Sequence, residues 1–256
     1  MRDYTSPGRD TVETFYRLNH RHQTFNFVAQ QHKRFITAPP KTHTMTWLEA
    51  LTYLDTLIDD SDPDTALSQL QHLLQTAEAI RKDNREDWFV LTGFIHDLGK
   101  ILCLSGEPQW SVVGDTFPVG CQFSDKIVYP HFFDDNPDTS HPVYQSANGI
   151  YEVACGLRNV TMSWGHDEYL HHYIKEYLPE PAQYMIRFHS FYAWHQSGAY
   201  DHLCDDHDRG MLSWVKKFNT YDLYSKVNDP VSWEELKPYY LDLIGKYLPE
   251  KIAWAV

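Results

Sequence analysis

The chain has 256 residues, 42% of them hydrophobic and 15% aromatic, and a formal charge of −13. That length can bury a sizeable core, while the acidic excess argues against nucleic acid or an anionic membrane surface as a partner, since neither attracts a negative molecule. A neutral ligand, or an anion held in a local cationic pocket, is left.

In chain order, residues 11–33 predict a helix, with Phe15, Leu18, Phe25 and Val28 along its apolar side, and residues 46–58 predict another through Leu48, Leu51, Leu54 and Ile58. The acidic turn over 59–64 stops that helix and caps the next, over 65–82, where Ala66, Leu70, Leu73, Ala77 and Ile80 form one stripe. His72 lies on the flank of the stripe. Residues 88–104 (WFVLTGFIHDLGKILCL) read as a helix with little polar side, yet His96 and Asp97 sit in its middle. A carboxylate buried there costs several kcal/mol unless a cation or hydrogen-bond donors meet it. A metal ion is one answer and a satisfied hydrogen-bonded pair the other. Neighbouring side chains on a helix project about 100° apart, so His96 and Asp97 can serve one ion together, or Asp97 can reach a second.

Residues 106–141 predict a long ordered loop containing a short strand pair, of the kind that lines sites in enzymes. Helices are expected over 144–157, 167–177, 181–194, 210–219 and 233–247, with a polar break over 198–206. The set predicts an all-α, mainly helical fold with minor strand content. No linker or internal repeat divides the chain, so a single domain over 1–256 is expected. No apolar stretch is long enough to span a bilayer, and the N-terminus MRDYTSPGRD lacks a signal-peptide core, so a cytoplasmic protein is expected. Cys103, Cys121, Cys155 and Cys204 form no CxxC pair and read as reduced core thiols.

Further candidate ligands are His166, His189 and Asp222, each set among aromatic residues. His20, His22, His32, His171, His172 and His207 lie in polar stretches and read as solvated or capping side chains.

The order His, then His-Asp, then a distal Asp resembles the metal-binding pattern of the HD-domain superfamily, and longer words narrow it. Gln75-Thr76-Ala77-Glu78, His96-Asp97-Leu98-Gly99-Lys100, Gly106-Glu107-Pro108-Gln109-Trp110, Val113-Gly114-Asp115-Thr116-Phe117-Pro118, Ser163-Trp164-Gly165-His166-Asp167-Glu168-Tyr169 and Met185-Ile186-Arg187-Phe188-His189-Ser190-Phe191-Tyr192 closely resemble the myo-inositol oxygenase family. The likeness runs from Arg2 over nearly the whole chain. It implies an HD-domain-like helical fold with a non-haem di-iron site, mixed-valent Fe(II)/Fe(III), one iron held by His72, His96, Asp97 and Asp222 and the other by His166, His189 and a bridging Asp97. It implies a four-electron oxidation of myo-inositol by O2, with ring cleavage to D-glucuronate and no organic cofactor. The sequence indeed shows neither GxGxxG after a strand nor a P-loop.

The same resemblance makes Lys100 and Asp97 catalytic, with Lys100 one helical turn after His96 and pointing into the site. It assigns substrate contacts to Arg2, Asp59, Asp60, Ser61, Lys100, Gly114, Asp115, His189 and Ser190. Tyr16 would belong to a lid, with residues 1–33 as cover, and the protein is expected to be a monomer. The alternative is an HD-type metal-dependent phosphohydrolase, which needs cationic groups to hold phosphate; a catalytically silent metal-binding protein is a third reading.

Overall fold

The computed structural model describes residues 10–38, 41–61, 68–224 and 231–255. It is mainly helical, as the sequence periodicity implies. Arg2 lies outside the described residues.

Two helices replace the single one expected over 11–33: α1 (Asp10–His22) and α2 (Phe25–His32). The break has a local cause. Thr24 takes extended backbone and its hydroxyl accepts the Phe27 N–H at 3.1 Å, capping a new helix. After a π turn over Lys33–Thr37, strand β1 (Thr42–Thr46) leads into α3 (Trp47–Leu54), which opens on a reciprocal capping box between Thr46 and Glu49.

The centre of the molecule is α4 (Gln69–Lys82) packed on α5 (Asp87–Ile95). Ala77 and Ile80 of the buried α4 stripe meet Gly93 of α5. A Cβ at Gly93 would lie 2.5 Å from Ile80 Cδ1 and 3.2 Å from Ala77 Cα, so the absence of a side chain is what lets the helices close.

The apolar run 88–104 is not one α-helix. α5 ends at Ile95, His96 and Asp97 form a turn, and Leu98–Ser105 continues as a 3-10 helix. Asp97 has φ −93° and ψ 1°, in the sparsely populated bridge region where many active-site residues sit. Against the expectation that no apolar stretch is long enough to span a bilayer, Asp87–Ser105 has the length and apolarity of a membrane span, but 78% of its most apolar eighteen residues are buried within the protein and it is a core element.

The helix expected over 144–157 is absent, because Gly149, Ala154 and Gly156 take φ of 57°, 55° and 86° and interrupt a right-handed helix within a few residues. The region from 106 to 165 is turns and short 3-10 segments with one isolated bridge, Pro118 to Met162. The strand pair lies elsewhere. β1 pairs antiparallel with β2 (Lys251–Ala255), Thr42 opposite Ala255 and Thr46 opposite Lys251. α6 (His166–Ile174), α7 (Glu180–Phe188), α8 (Tyr192–His195), α9 (Asp206–Tyr224) and α10 (Trp233–Tyr247) complete the fold. The helix expected over 181–194 is thus split around His189, and α9 begins before and ends after the expected 210–219. All four cysteines are free, Cys121 and Cys204 buried and the other two half-buried.

Candidate metal centre

Several helix ends meet at one buried point. His72 comes from the first turn of α4, His96 and Asp97 from the turn after α5, His166 is the first residue of α6, His189 follows the last residue of α7, and Asp222 lies in the last turn of α9. All except the half-buried His72 are at most 4% exposed.

The side chains form two groups around one carboxylate. On one side His72 Nε2 lies 3.3 Å from His96 Nε2, 3.0 Å from Asp222 Oδ1 and 3.6 Å from Asp97 Oδ2; His96 Nε2 lies 3.5 Å and 3.6 Å from the same two oxygens. On the other, His166 Nε2 and His189 Nε2 are 3.2 Å apart and lie 3.2 Å and 3.3 Å from Asp97 Oδ1. Ligands about 2.1 Å from one ion and at right angles to each other are roughly 3 Å apart, which is the scale of these separations.

The protons decide what this geometry can hold. The Nδ1 atoms of His96, His166 and His189 each lie 2.9 Å from a carbonyl oxygen, of Gly93, Val112 and Ile186. A carbonyl only accepts, so each Nδ1 carries a proton and Nε2 is the atom each ring turns inward. Lone pairs facing one another at 3.2 Å repel unless a proton or a metal cation lies between them. At His166 a proton can fill that role when no metal is bound: burial disfavours a charged ring, but Asp167 and Asp97 outweigh it and push its pKa up to about 10. Burial likewise opposes ionisation of Asp97, yet Lys100, His96 and the hydrogen bonds of His166 and His189 hold it well below the usual carboxylate range. Imidazole and carboxylate donors without thiolate fit a redox metal such as iron or manganese better than structural zinc.

Lys100 Nζ donates to Asp97 Oδ2 at 2.7 Å and Asp59 Oδ2 at 2.9 Å. Its place differs from a helical turn after His96. In a 3-10 segment, side chains three apart eclipse, so Lys100 stands over Asp97. Burial opposes its charge, but the two carboxylates hold it above the usual ammonium range. Ser61 gives both its N–H and its hydroxyl proton to Asp59 Oδ1, at 2.8 and 2.6 Å. Tyr16, fully buried, donates to Asp115 Oδ1 at 2.9 Å, and Gly114 has φ 91° where a Cβ would lie 2.7 Å from Phe15 Cε1, so α1 seats directly on this loop. The Thr116 N–H donates to the Ser190 carbonyl at 3.0 Å, which sets that loop beside Ser190. Asp60 is not brought in with its neighbours. Its N–H goes to Gln109 Oε1 at 2.8 Å and it lines a cleft of about 480 Å³ with Phe15, Leu18 and Trp110. His20 departs from the expectation of a solvated ring: it is fully buried, stacked 4.0 Å from Phe133 and 2.6 Å from the Val128 carbonyl.

A sequence model of one family, myo-inositol oxygenase, matches residues 9–254. The chain belongs to the myo-inositol oxygenase family. It is 52% identical to inositol oxygenase 1 of Arabidopsis thaliana, with 99% of this chain and 84% of that one covered. It is 50% identical to the inositol oxygenase of Mus musculus, over 99% of this chain and 90% of that one, and 48% identical to that of Dictyostelium discoideum, over 99% and 89%.

Two residues of this myo-inositol oxygenase family member bear on the site although sequence reasoning passed over them. Asp167 is 1% exposed, with Oδ1 2.7 Å from His166 Nε2 and 3.6 Å from His189 Nε2. An acidic residue in the first turn of a helix ordinarily signals the helix dipole, which hides it. Gln23, between α1 and α2, pairs both ways with the backbone of Trp164: Nε2 donates to its carbonyl at 2.7 Å and Oε1 accepts its N–H at 2.9 Å. It pins the chain two residues before His166, and only the folded chain brings them together.

Proposed function

We propose that this chain cleaves the ring of myo-inositol with O2 to D-glucuronate, in a four-electron oxidation at two iron ions in the mixed-valent Fe(II)/Fe(III) state. Membership of the family supports the reading. The observation that carries it is the pair of inward-facing imidazole groups on either side of one shared carboxylate. In this reading His72, His96 and Asp222 hold one iron, His166 and His189 the other, and Asp97 both. Iron, when bound, supplies the electron-accepting and O2-binding chemistry.

The chain's own residues set how a polyol is met. Lys100 is the cationic donor beside the cluster, while Asp59, Ser61, Asp115 and Ser190 present mainly oxygen acceptors. A cyclitol brings a donor in every hydroxyl, which suits such a lining. Phosphate requires several cationic donors, and among the described residues at the cluster Lys100 already lies between two carboxylates. Tyr16 and the rest of α1 cover the Gly114–Asp115 loop and keep water from it.

Metal analysis, EPR of the partly oxidised protein and O2 uptake with myo-inositol test the proposal together. Two irons per chain, a mixed-valent signal and inositol-dependent O2 consumption yielding glucuronate are expected. A lone zinc, or phosphoester hydrolysis without O2 uptake, would overturn it in favour of the phosphohydrolase.

A further inference from the structure

We propose that Asp167 is a positioning residue that fixes the polarity of Ser190: it takes the Ser190 hydroxyl proton, so that Ser190 offers lone pairs to a cyclitol hydroxyl. The proposal rests on the reading of the site as a cyclitol site.

The geometry is specific. Asp167 Oδ2 accepts the Ser190 N–H at 3.2 Å, and Oδ1 accepts the Ser190 hydroxyl at 3.2 Å. Both donors of Ser190 therefore end on one carboxylate, and its carbonyl is occupied by the Thr116 N–H. What Ser190 has left to offer is the lone pairs of Oγ. Asp167 is 1% exposed and Ser190 6%, so water does not compete freely for these bonds.

The same arrangement recurs at Ser61, whose N–H and hydroxyl both end on Asp59 Oδ1. Two serines thus have their protons committed to carboxylates, one to Asp59, whose other oxygen meets Lys100, and the other to Asp167 on the His166 and His189 side. A serine free to rotate would serve donors and acceptors alike. Here each is held as an acceptor, which favours a ligand rich in hydroxyl donors over its ketone or carboxylate relatives.

Asp167→Asn inverts this arrangement. The amide oxygen must face the Ser190 N–H, which can only donate, so the NH2 group faces Oγ and turns the hydroxyl proton outward. Anaerobic calorimetry of metal-loaded protein with myo-inositol reads the consequence, alongside metal content. Asp167→Asn is expected to keep the parent's metal content and weaken inositol binding about tenfold, with KM rising more than kcat falls. In a Ser190→Ala background the same substitution should change binding less than about twofold, because both act through one hydroxyl. Ser190→Thr, which keeps a hydroxyl for Asp167, should stay within about threefold of the parent, and compared with Ser190→Ala it tests the pair even where Asp167→Asn does not fold. Loss of metal from Asp167→Asn, additive effects of the two substitutions, or equal binding by Ser190→Ala and Ser190→Thr would overturn the proposal. A parent protein that binds two irons but no inositol would instead overturn the functional reading, and this inference with it.

Discussion

Asp97 is the residue on which the centre turns, because its two oxygens face different pairs of histidines. Asp97→Asn keeps the size but removes the charge from both groups, and both metals should be lost together. His189→Ala should empty the His166 side preferentially; elemental analysis of the purified variants decides, and full metal content in either contradicts the assignment. Lys100 is the counter-charge to two buried carboxylates. Lys100→Met leaves them uncompensated and should destabilise the metal-free protein by about 3–5 kcal/mol, read from denaturant midpoints, with turnover lost and metal retained. Away from the centre, His171 on α6 departs from the expected solvated ring: it is half-buried with a buried Nδ1 unpartnered among the described residues, and burial, aided by Arg187, lowers its pKa from 6.5 to about 4. The unfolded chain takes up this proton first as pH falls, so stability present above pH 6.5 is lost between 6.5 and 4. The loss is at most roughly 3.4 kcal/mol at 1.36 kcal/mol per unit. His171→Gln should flatten that part of the pH–stability curve, and an unchanged slope would remove the assignment.

At the scale of elements, the change from α-helix to 3-10 helix at Asp97 is what lets one short segment supply two ligands and Lys100. Gly99 makes it possible, since a Cβ there would lie 2.2 Å from the His166 carbonyl oxygen. Gly99→Ala pushes backbone against backbone; a cost of roughly 1–3 kcal/mol is expected, with weaker metal retention on the His166 side, measured by thermal unfolding and metal titration. Little of this was legible beforehand. The stripe of α4, the apolar run and the order of the candidate ligands are local patterns that a sequence displays directly. The turn at His96–Asp97 is not, because apolar residues on every side give no periodicity from which to place a helix end. The helix expected over 144–157 overlooked Asn148-Gly149 and Gly156, which are turn signals, and β1 was missed because its partner lies at the far end of the chain. Asp167 was hidden by a commoner role for acids at helix starts, and Gln23 by its distance from Trp164 in sequence.

For the molecule as a whole, the centre is a point where α4, α5, α6, α7 and α9 converge, so whatever occupies it joins elements remote in sequence. Without metal, a proton on His166 sits at this junction, and a cation bound there must displace it. His166, raised to about 10 chiefly by Asp167 and Asp97 against the effect of burial, carries its proton at neutral pH. A folded-state pKa above the unfolded value contributes stability that is complete below about 6.5 and is lost as pH rises towards 10. The metal-free protein should therefore lose thermal stability over that range, while the metal-loaded protein, whose His166 ring is held by the ion, should not. Loading at pH 7 should release protons, seen as heats that change with the ionisation enthalpy of the buffer, and metal affinity should weaken as pH falls. Heats independent of buffer, or parallel pH–stability curves with and without metal, would mean that His166 is not among the ligands and that the convergence of these helices is held by packing alone.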